Sequence, residues 1–466
     1  MTAGVAIDGY CPGHAEIGSS ARLAHRTPAT GWGGDLATDI QRDGRKRTQI
    51  FAIIGGSTGN LVEWYDFYSY AALTVYFAPS FFPSGDSTSE LLSAAAVFAV
   101  GFLMRPLGAW MMGVYADRRG RKAGLALSLG LMGAGSLLIA ISPTYAQAGL
   151  LAPALLICAR MIQGLSVGGE YGASATYLSE MSSDRYRGFW TSFQYVTLIG
   201  GQLSALCATL ALQALFTEQE IERWAWRLPF VLGAVLAMIV YLLRRKLTET
   251  ASFSEQRADR PISSFKNLWR NHSKQFWLII VITAGGSLFF YSTTTYMQKF
   301  LINTSGFSRE VGTQIMTVAL IVYMIAQPLF GYLSDIAGRK PLLLVFGIGG
   351  TCCTIPAFHA IAQTRSPIIA GAIIIALLLL LSAYTSISGL IKAELFPPHI
   401  RSLGVAFPYA IGNSLFGGTA EYAALSFRRS GIESGFYIYV SAIVACALVA
   451  FLILPDTRRH GWMSRG

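Results

Sequence analysis

Residues 113–122 read GVYADRRGRK, and residues 331–340 read GYLSDIAGRK. Glycine, aspartate, glycine, arginine and lysine recur at the same spacing, 218 residues apart. A second pair agrees with the first: Glu180 precedes Arg187 by seven residues and Glu394 precedes Arg401 by seven, at an offset of 214. Two motifs repeated at nearly one offset imply two halves of common ancestry. What those halves are follows from the residues around the motifs.

The chain has 466 residues, 53% of them hydrophobic and only 13% charged, with a mean hydropathy of +0.47. That composition lies well outside the soluble range. About 20 apolar residues cross a bilayer as helix, and twelve such runs can be marked, near 50–78, 90–116, 123–142, 151–179, 189–215, 227–243, 275–300, 311–333, 341–362, 367–391, 402–427 and 434–454. The sequence therefore predicts an all-α integral membrane protein of twelve transmembrane helices in two six-helix, pseudo-symmetric halves. These occupy 48–243 and 275–455, joined by a basic linker at 244–274. Residues 1–47 are polar, lack the apolar core of a signal peptide, and are expected to be a disordered cytoplasmic extension; residues 456–466 form a tail.

Basic residues cluster on one set of loops (Arg45 to Arg47, Arg118 to Lys122, Arg185, Arg187, Arg244 to Lys246, Arg339, Lys340, Arg401, Arg458, Arg459). The other side holds few, so both termini are expected in the cytoplasm. Basic loops beside anionic lipid account for the net charge of +11 without nucleic acid. The six cysteines lack metal-ligand spacing and read as core packing, and neither metal nor cofactor is expected.

In the doubled loop, glycine permits a tight turn, while Asp117 and Asp335 can make and break ion pairs with Arg118, Arg121 and Arg339 at the inner rim. Topology signalling alone would explain the arginines. It would not place aspartates at matching positions.

The doubled Gly-x3-Asp-x2-Gly-Arg-Lys loop resembles the signature of the major facilitator superfamily. GNLVEWYDFYSY (59–70), GFLMRPLG (101–108), ARMIQGLSVGGEYGASATYLSEM (159–181), SFQYVTLIGGQL (192–203), TTYMQKFLINT (294–304), YTSISGLIKAELFP (384–397) and FGGTAEYAAL (416–425) further resemble its metabolite:proton symporter family. The resemblance covers about 48 to 450, and Arg119 departs from the pattern where histidine is expected. It implies a secondary active transporter working by alternating access, importing α-ketoglutarate by proton symport across a bacterial inner membrane, as a monomer. Citrate or another small carboxylate is the alternative, and proline or betaine a more distant one. It also implies a rim gate of Asp117, Arg118, Arg121, Glu180, Arg187, Asp335, Arg339, Glu394 and Arg401, in which the two aspartates latch near Arg401 and Arg187.

A charge at the bilayer centre costs about 2.5–3.5 kcal/mol on insertion scales, so acids and bases inside spans usually face a cavity or a partner. Glu63 and Asp66 share a helix face with Asn60 and Tyr70. Arg105, about 12 residues before Asp117, and Arg160, about nine into a later span, lie inside the hydrocarbon. Arg160 shares a face with Gln163, Glu170 and Tyr171. Because the guanidinium fork matches a carboxylate, Arg105 and Arg160 suit a dicarboxylate; alternatively, each neutralises a resident acid such as Asp66 or Glu170. Gln194, Tyr291, Gln298, Tyr384 and Asn413 complete a substrate cavity or hydrogen-bond between helices. Asp66, Glu63 or Glu170 is expected to carry the proton, its neutralisation freeing an arginine for the small-molecule carboxylate. Lys299 and Lys392 lie nearer helix ends, where snorkelling is expected.

An intramembrane enzyme is the rival class and is not expected. The span-located His359 has no acid aligned with it, and no Gly-x4-Gly-Lys-Ser/Thr loop occurs.

Overall fold

The computed structural model describes residues 59–464 apart from 120, 169–174, 177, 180, 181, 183, 247–264 and 399. The expected N-terminal extension, with Glu170, Tyr171 and Glu180, lies outside the described residues, as does most of the linker. Within them, helix occupies each apolar run. We label these α1 (59–81), α2 (Ser87–Leu103 and Arg105–Arg119), α3 (Arg121–Ile141), α4 (Leu151–Gly168), α5 (Arg187–Leu215) and α6 (Leu228–Lys246). The second half comprises α7 (Ser273–Thr293 and Thr295–Asn303), α8 (Arg309–Ala337), α9 (Arg339–Gln363), α10 (Pro367–Glu394), α11 (Arg401–Gly412, a π-turn Asn413–Gly417, then Ala420–Arg429) and α12 (Glu433–Ile453). Among the described residues nine helical stretches are long and apolar enough to cross a membrane. In lipid every backbone polar group needs an internal partner, which helix supplies.

Helix ends carry their own chemistry. Asp86 caps α2 by accepting from Ser89 N at 2.9 Å, Ser308 caps α8 and Ser366 caps α10, with Pro367 at the first helical position. Between α8 and α9, Gly338 adopts a φ of 95°, so the final glycine of the repeated loop stands where a side chain would strain the backbone.

Each half is a bundle. In the first, α3 packs on α4 and α6, and α4 on α2; in the second, α12 packs on α7 and α9, and α10 on α8 and α9. The halves meet where α5 runs along α8 and α10, and where α2 meets α11. Pro106 has no N–H to bond to the carbonyl of Phe102, four residues earlier, so α2 breaks at Met104. Ser414 Oγ of α11 donates to that carbonyl at 2.5 Å. A proline in one half has thus exposed an acceptor that the other half uses.

Apolar residues cover the outside. Ile368 is 84% and Leu150 77% exposed, as lipid-facing side chains are. The described cysteines, Cys158, Cys207, Cys352, Cys353 and Cys446, are likewise exposed, not in the core. The expectation of core packing fails because apolar surface carries no penalty in lipid.

Close approach of α2 and α4 depends on glycine: a Cβ at Gly164 would overlap the backbone carbonyl of Gly101. Gly164→Val is therefore expected to destabilise the protein by about 3 kcal/mol, the upper end of overpacking costs, because backbone cannot step aside. Thermal melting in detergent checks this.

Candidate functional site

Arg105 begins the second segment of α2, immediately after the break, and the break turns it into the bundle. It is 3% exposed, its Nε and Nη2 have no hydrogen-bond partner, and its guanidinium lies 3.7 Å from the ring centre of Phe102, 4.4 Å from Phe67 and 5.1 Å from Trp64. Aromatic faces hold a cation at low cost, yet they satisfy none of its donors. Phe102 in turn meets Tyr291 of α7 edge-on at 5.0 Å, and Tyr291 lies 6.5 Å from Tyr68 of α1. The unsatisfied fork thus sits at the seam between halves.

Arg160 of α4 is fully buried on the inner side of the first half. Its Nη1 donates to Gln163 Oε1 at 2.7 Å, Gln163 Nε2 donates to Ser136 Oγ at 2.8 Å, and Ser136 Oγ donates to Asp66 Oδ2. Asp66 and Arg160 are joined by this relay through α3. Rings of Phe67, Tyr70 and Phe98 lie 4.2, 4.5 and 5.1 Å from the guanidinium and screen it, while its Nε and Nη2 are unpartnered. Asp66 Oδ1 is also unpartnered and faces Gly233 of α6. Glu63 accepts from Ser128 of α3 at 2.7 Å. Both carboxylates of α1 consequently face α3 and α6 inside their own half, whereas Tyr68, Ala71 and Ala72 face a cleft shared with Gln202 and Leu206 of α5 and with Thr294, Thr295 and Gln298 of α7.

The remaining expected site residues divide by position. Gln194 of α5 abuts Gly389 of α10, across the seam. Gln298 donates to Thr313 of α8 at 3.0 Å, within its own half. Tyr384 stacks on Phe346 at 5.2 Å. Asn413 opens the π-turn with both side-chain polar atoms buried and unpartnered.

At the basic rim, Asp335 accepts from Gly188 N at 2.8 Å and Phe189 N at 2.9 Å, the first free N–H groups of α5, and pairs with Arg339 at 2.8 Å. A carboxylate at a helix N-terminus is favoured by the dipole and by its unpaired donors. Arg339 Nε lies 3.8 Å from Glu394, which also accepts from Thr457 at 2.5 Å; Arg187 reaches the Met463 carbonyl at 3.5 Å, and Arg401 donates to Phe396 O at 3.2 Å. Side chains of Asp117, Arg118 and Arg121 lie outside the described residues. On the opposite face Arg309 of α8 pairs with Glu222 at 2.5 Å. The halves touch at both ends, which closes the seam.

Asp335→Asn removes the charge from this cap while keeping its shape. A cysteine placed at Ser192, buried in the same contact, is expected to label about 10-fold faster in that background, since the cap is worth about 1 kcal/mol or somewhat more. Maleimide labelling rates measure it.

Sequence reasoning missed several groups. Lys299 is not snorkelling: it is 1% exposed and pairs with Glu421 at 2.5 Å, α7 to α11. Lys392 is also 1% exposed. Ser136 gave no signal, being one hydroxyl in an apolar run.

The Major Facilitator Superfamily model matches residues 57–407 and 309–466. The alpha-ketoglutarate permease of Escherichia coli (strain K12) is 50% identical over 415 residues, 89% of this chain and 95% of that one. A citrate-proton symporter of Salmonella typhi is 29% identical over 446 residues, 94% and 98% of the two chains. The fold matches the xylose transporter XylE from E. coli in a partially occluded inward-open conformation, with a TM-score of 0.71 at 15% identity, over 88% of this chain and 98% of that one. This chain belongs to the Major Facilitator Superfamily and is a membrane transporter, not an enzyme.

Proposed function

We propose that the protein imports α-ketoglutarate together with protons across a bacterial inner membrane, by alternating access of its two halves. The observation that carries the reading is Arg105: a buried guanidinium at the seam with Nε and Nη2 unsatisfied, the geometry a carboxylate would complete. The 50% identity to a protein named for that substrate supports it. Substrate enters the cleft beside Tyr68 and Gln298, and one carboxylate forks onto Arg105. Asp66 takes a proton; through Ser136 and Gln163 that change reaches Arg160 and the rings shared by Arg160 and Arg105 at Phe67. Glu63, Glu170 and Tyr171 remain part of this proposed machinery, with Asp117, Arg118, Arg121 and Glu180 in the rim gate.

In this reading the basic rim is cytoplasmic, both termini lie there, the halves run 48–243 and 275–455, and the monomer is the working unit in the bilayer. Citrate is the second reading, favoured by the similarity to a citrate-proton symporter.

Counterflow separates them. Proteoliposomes loaded with unlabelled α-ketoglutarate should take up labelled α-ketoglutarate transiently above equilibrium, and external citrate or proline at equal concentration should not compete. Counterflow of labelled citrate into citrate-loaded proteoliposomes, with none of α-ketoglutarate, would transfer the assignment to citrate.

A further inference from the structure

From this reading of the substrate, we infer that Lys392 of α10 receives the second carboxylate, so that the dianion bridges Arg105 of the first half and Lys392 of the second. Lys392 is 1% exposed and lies inside a span, and an ionisable side chain at such a place marks a substrate or ion pathway. Its Nζ donates to Ser388 Oγ at 2.7 Å and lies 4.6 Å from the ring centre of Tyr409 and 5.8 Å from that of Tyr384. Tyr409 belongs to the first segment of α11, which packs both on the segment of α2 that Arg105 begins and on α10, which carries Lys392. That segment of α11 thus links the elements of the two cations, at the seam where α10 also meets α5.

Arg160 is the other candidate for this role. It is enclosed by Phe67, Tyr70 and Phe98, and its Nη1 is engaged by Gln163 in the relay to Asp66. Both it and Arg105 belong to the first half, so a ligand held by those two alone would not join the halves. A ligand spanning Arg105 and Lys392 draws α2 and α10 together and favours the closed seam. Substrate recognition and closure then become one event, since differential binding to one conformation shifts the population toward it.

The test measures binding to the purified full chain in nanodiscs, for α-ketoglutarate and for 2-oxobutanoate and 4-oxopentanoate, each of which lacks one of the two carboxylates. In Lys392→Met, α-ketoglutarate affinity is expected to fall about 30-fold, the size of one lost charge-assisted hydrogen bond. One of the two monocarboxylates should bind with unchanged affinity, because its missing group is the one Lys392 contacts. Lys392→Arg should retain the preference for the dicarboxylate, and Lys392→Gln serves the same comparison if the methionine variant does not fold. Equal loss for all three ligands, or no loss for α-ketoglutarate, would overturn the assignment of Lys392 alone. Failure of the wild-type chain to bind α-ketoglutarate would instead remove the substrate reading, and this inference with it.

Discussion

Arg105→Ala is expected to lower α-ketoglutarate uptake by more than about 100-fold while the protein stays folded. The magnitude follows from the fork: two charge-assisted hydrogen bonds, each worth about 1.5–3 kcal/mol, are made only to substrate, and about 1.4 kcal/mol is a factor of ten. The folded state gives up little in exchange. Nε and Nη2 are unsatisfied in it, so removing them deletes a desolvation penalty as well as contacts with Trp64, Phe67 and Phe102. Arg105→Lys keeps the charge but not the planar fork, and should fall between alanine and wild type. Initial uptake rates, with melting temperatures for each variant, check the expectation; uptake by the alanine variant within threefold of wild type would exclude Arg105 from substrate contact.

Asp66→Asn should separate transport from its energy source. Asparagine keeps the shape and can still accept from Ser136 through its carbonyl oxygen, so the relay to Gln163 and Arg160 keeps its geometry. What it loses is the ability to gain and release a proton. Counterflow should therefore persist, while accumulation driven by a proton gradient collapses to equal concentrations inside and outside. Asn at position 66 with full accumulation would move the proton to Glu63, which Ser128 holds from the same helix α3.

The fold was legible because its signals are repeated and long. The loops at 113–122 and 331–340 mark equivalent places in two halves, and the apolar runs between them are long enough to average over single residues. Asp335 of the repeated loop was visible as a carboxylate at the rim, but its partners, the backbone N–H groups at the mouth of α5, carry no residue-type signal.

The site was legible only in part, for reasons of geometry. Arg105 and Arg160 look alike in sequence, each an arginine deep in a span, but the proline break at Met104 presents one at the seam while α4 keeps the other inside the bundle. Periodicity put Asn60, Glu63, Asp66 and Tyr70 on one side of α1. It could not say that α3 and α6 receive the acids while Tyr68 faces the cleft. Depth was the other blind spot. Lys299 and Lys392 were counted from helix ends as if α7 and α10 stopped at the membrane surface, whereas both are enclosed by neighbouring helices, Lys299 against Glu421 and Lys392 against Tyr409. Counter-ions and covering rings come from other parts of the chain, and no local pattern announces them.

The central claim is that α-ketoglutarate and protons move together through the seam between the halves. Accumulation of labelled α-ketoglutarate in proteoliposomes, under an inward proton gradient and with or without a protonophore, tests it most directly. The account predicts accumulation above the external concentration that vanishes with the protonophore. Accumulation unaffected by the protonophore, or uptake that never exceeds equilibrium in the wild-type protein, would contradict it.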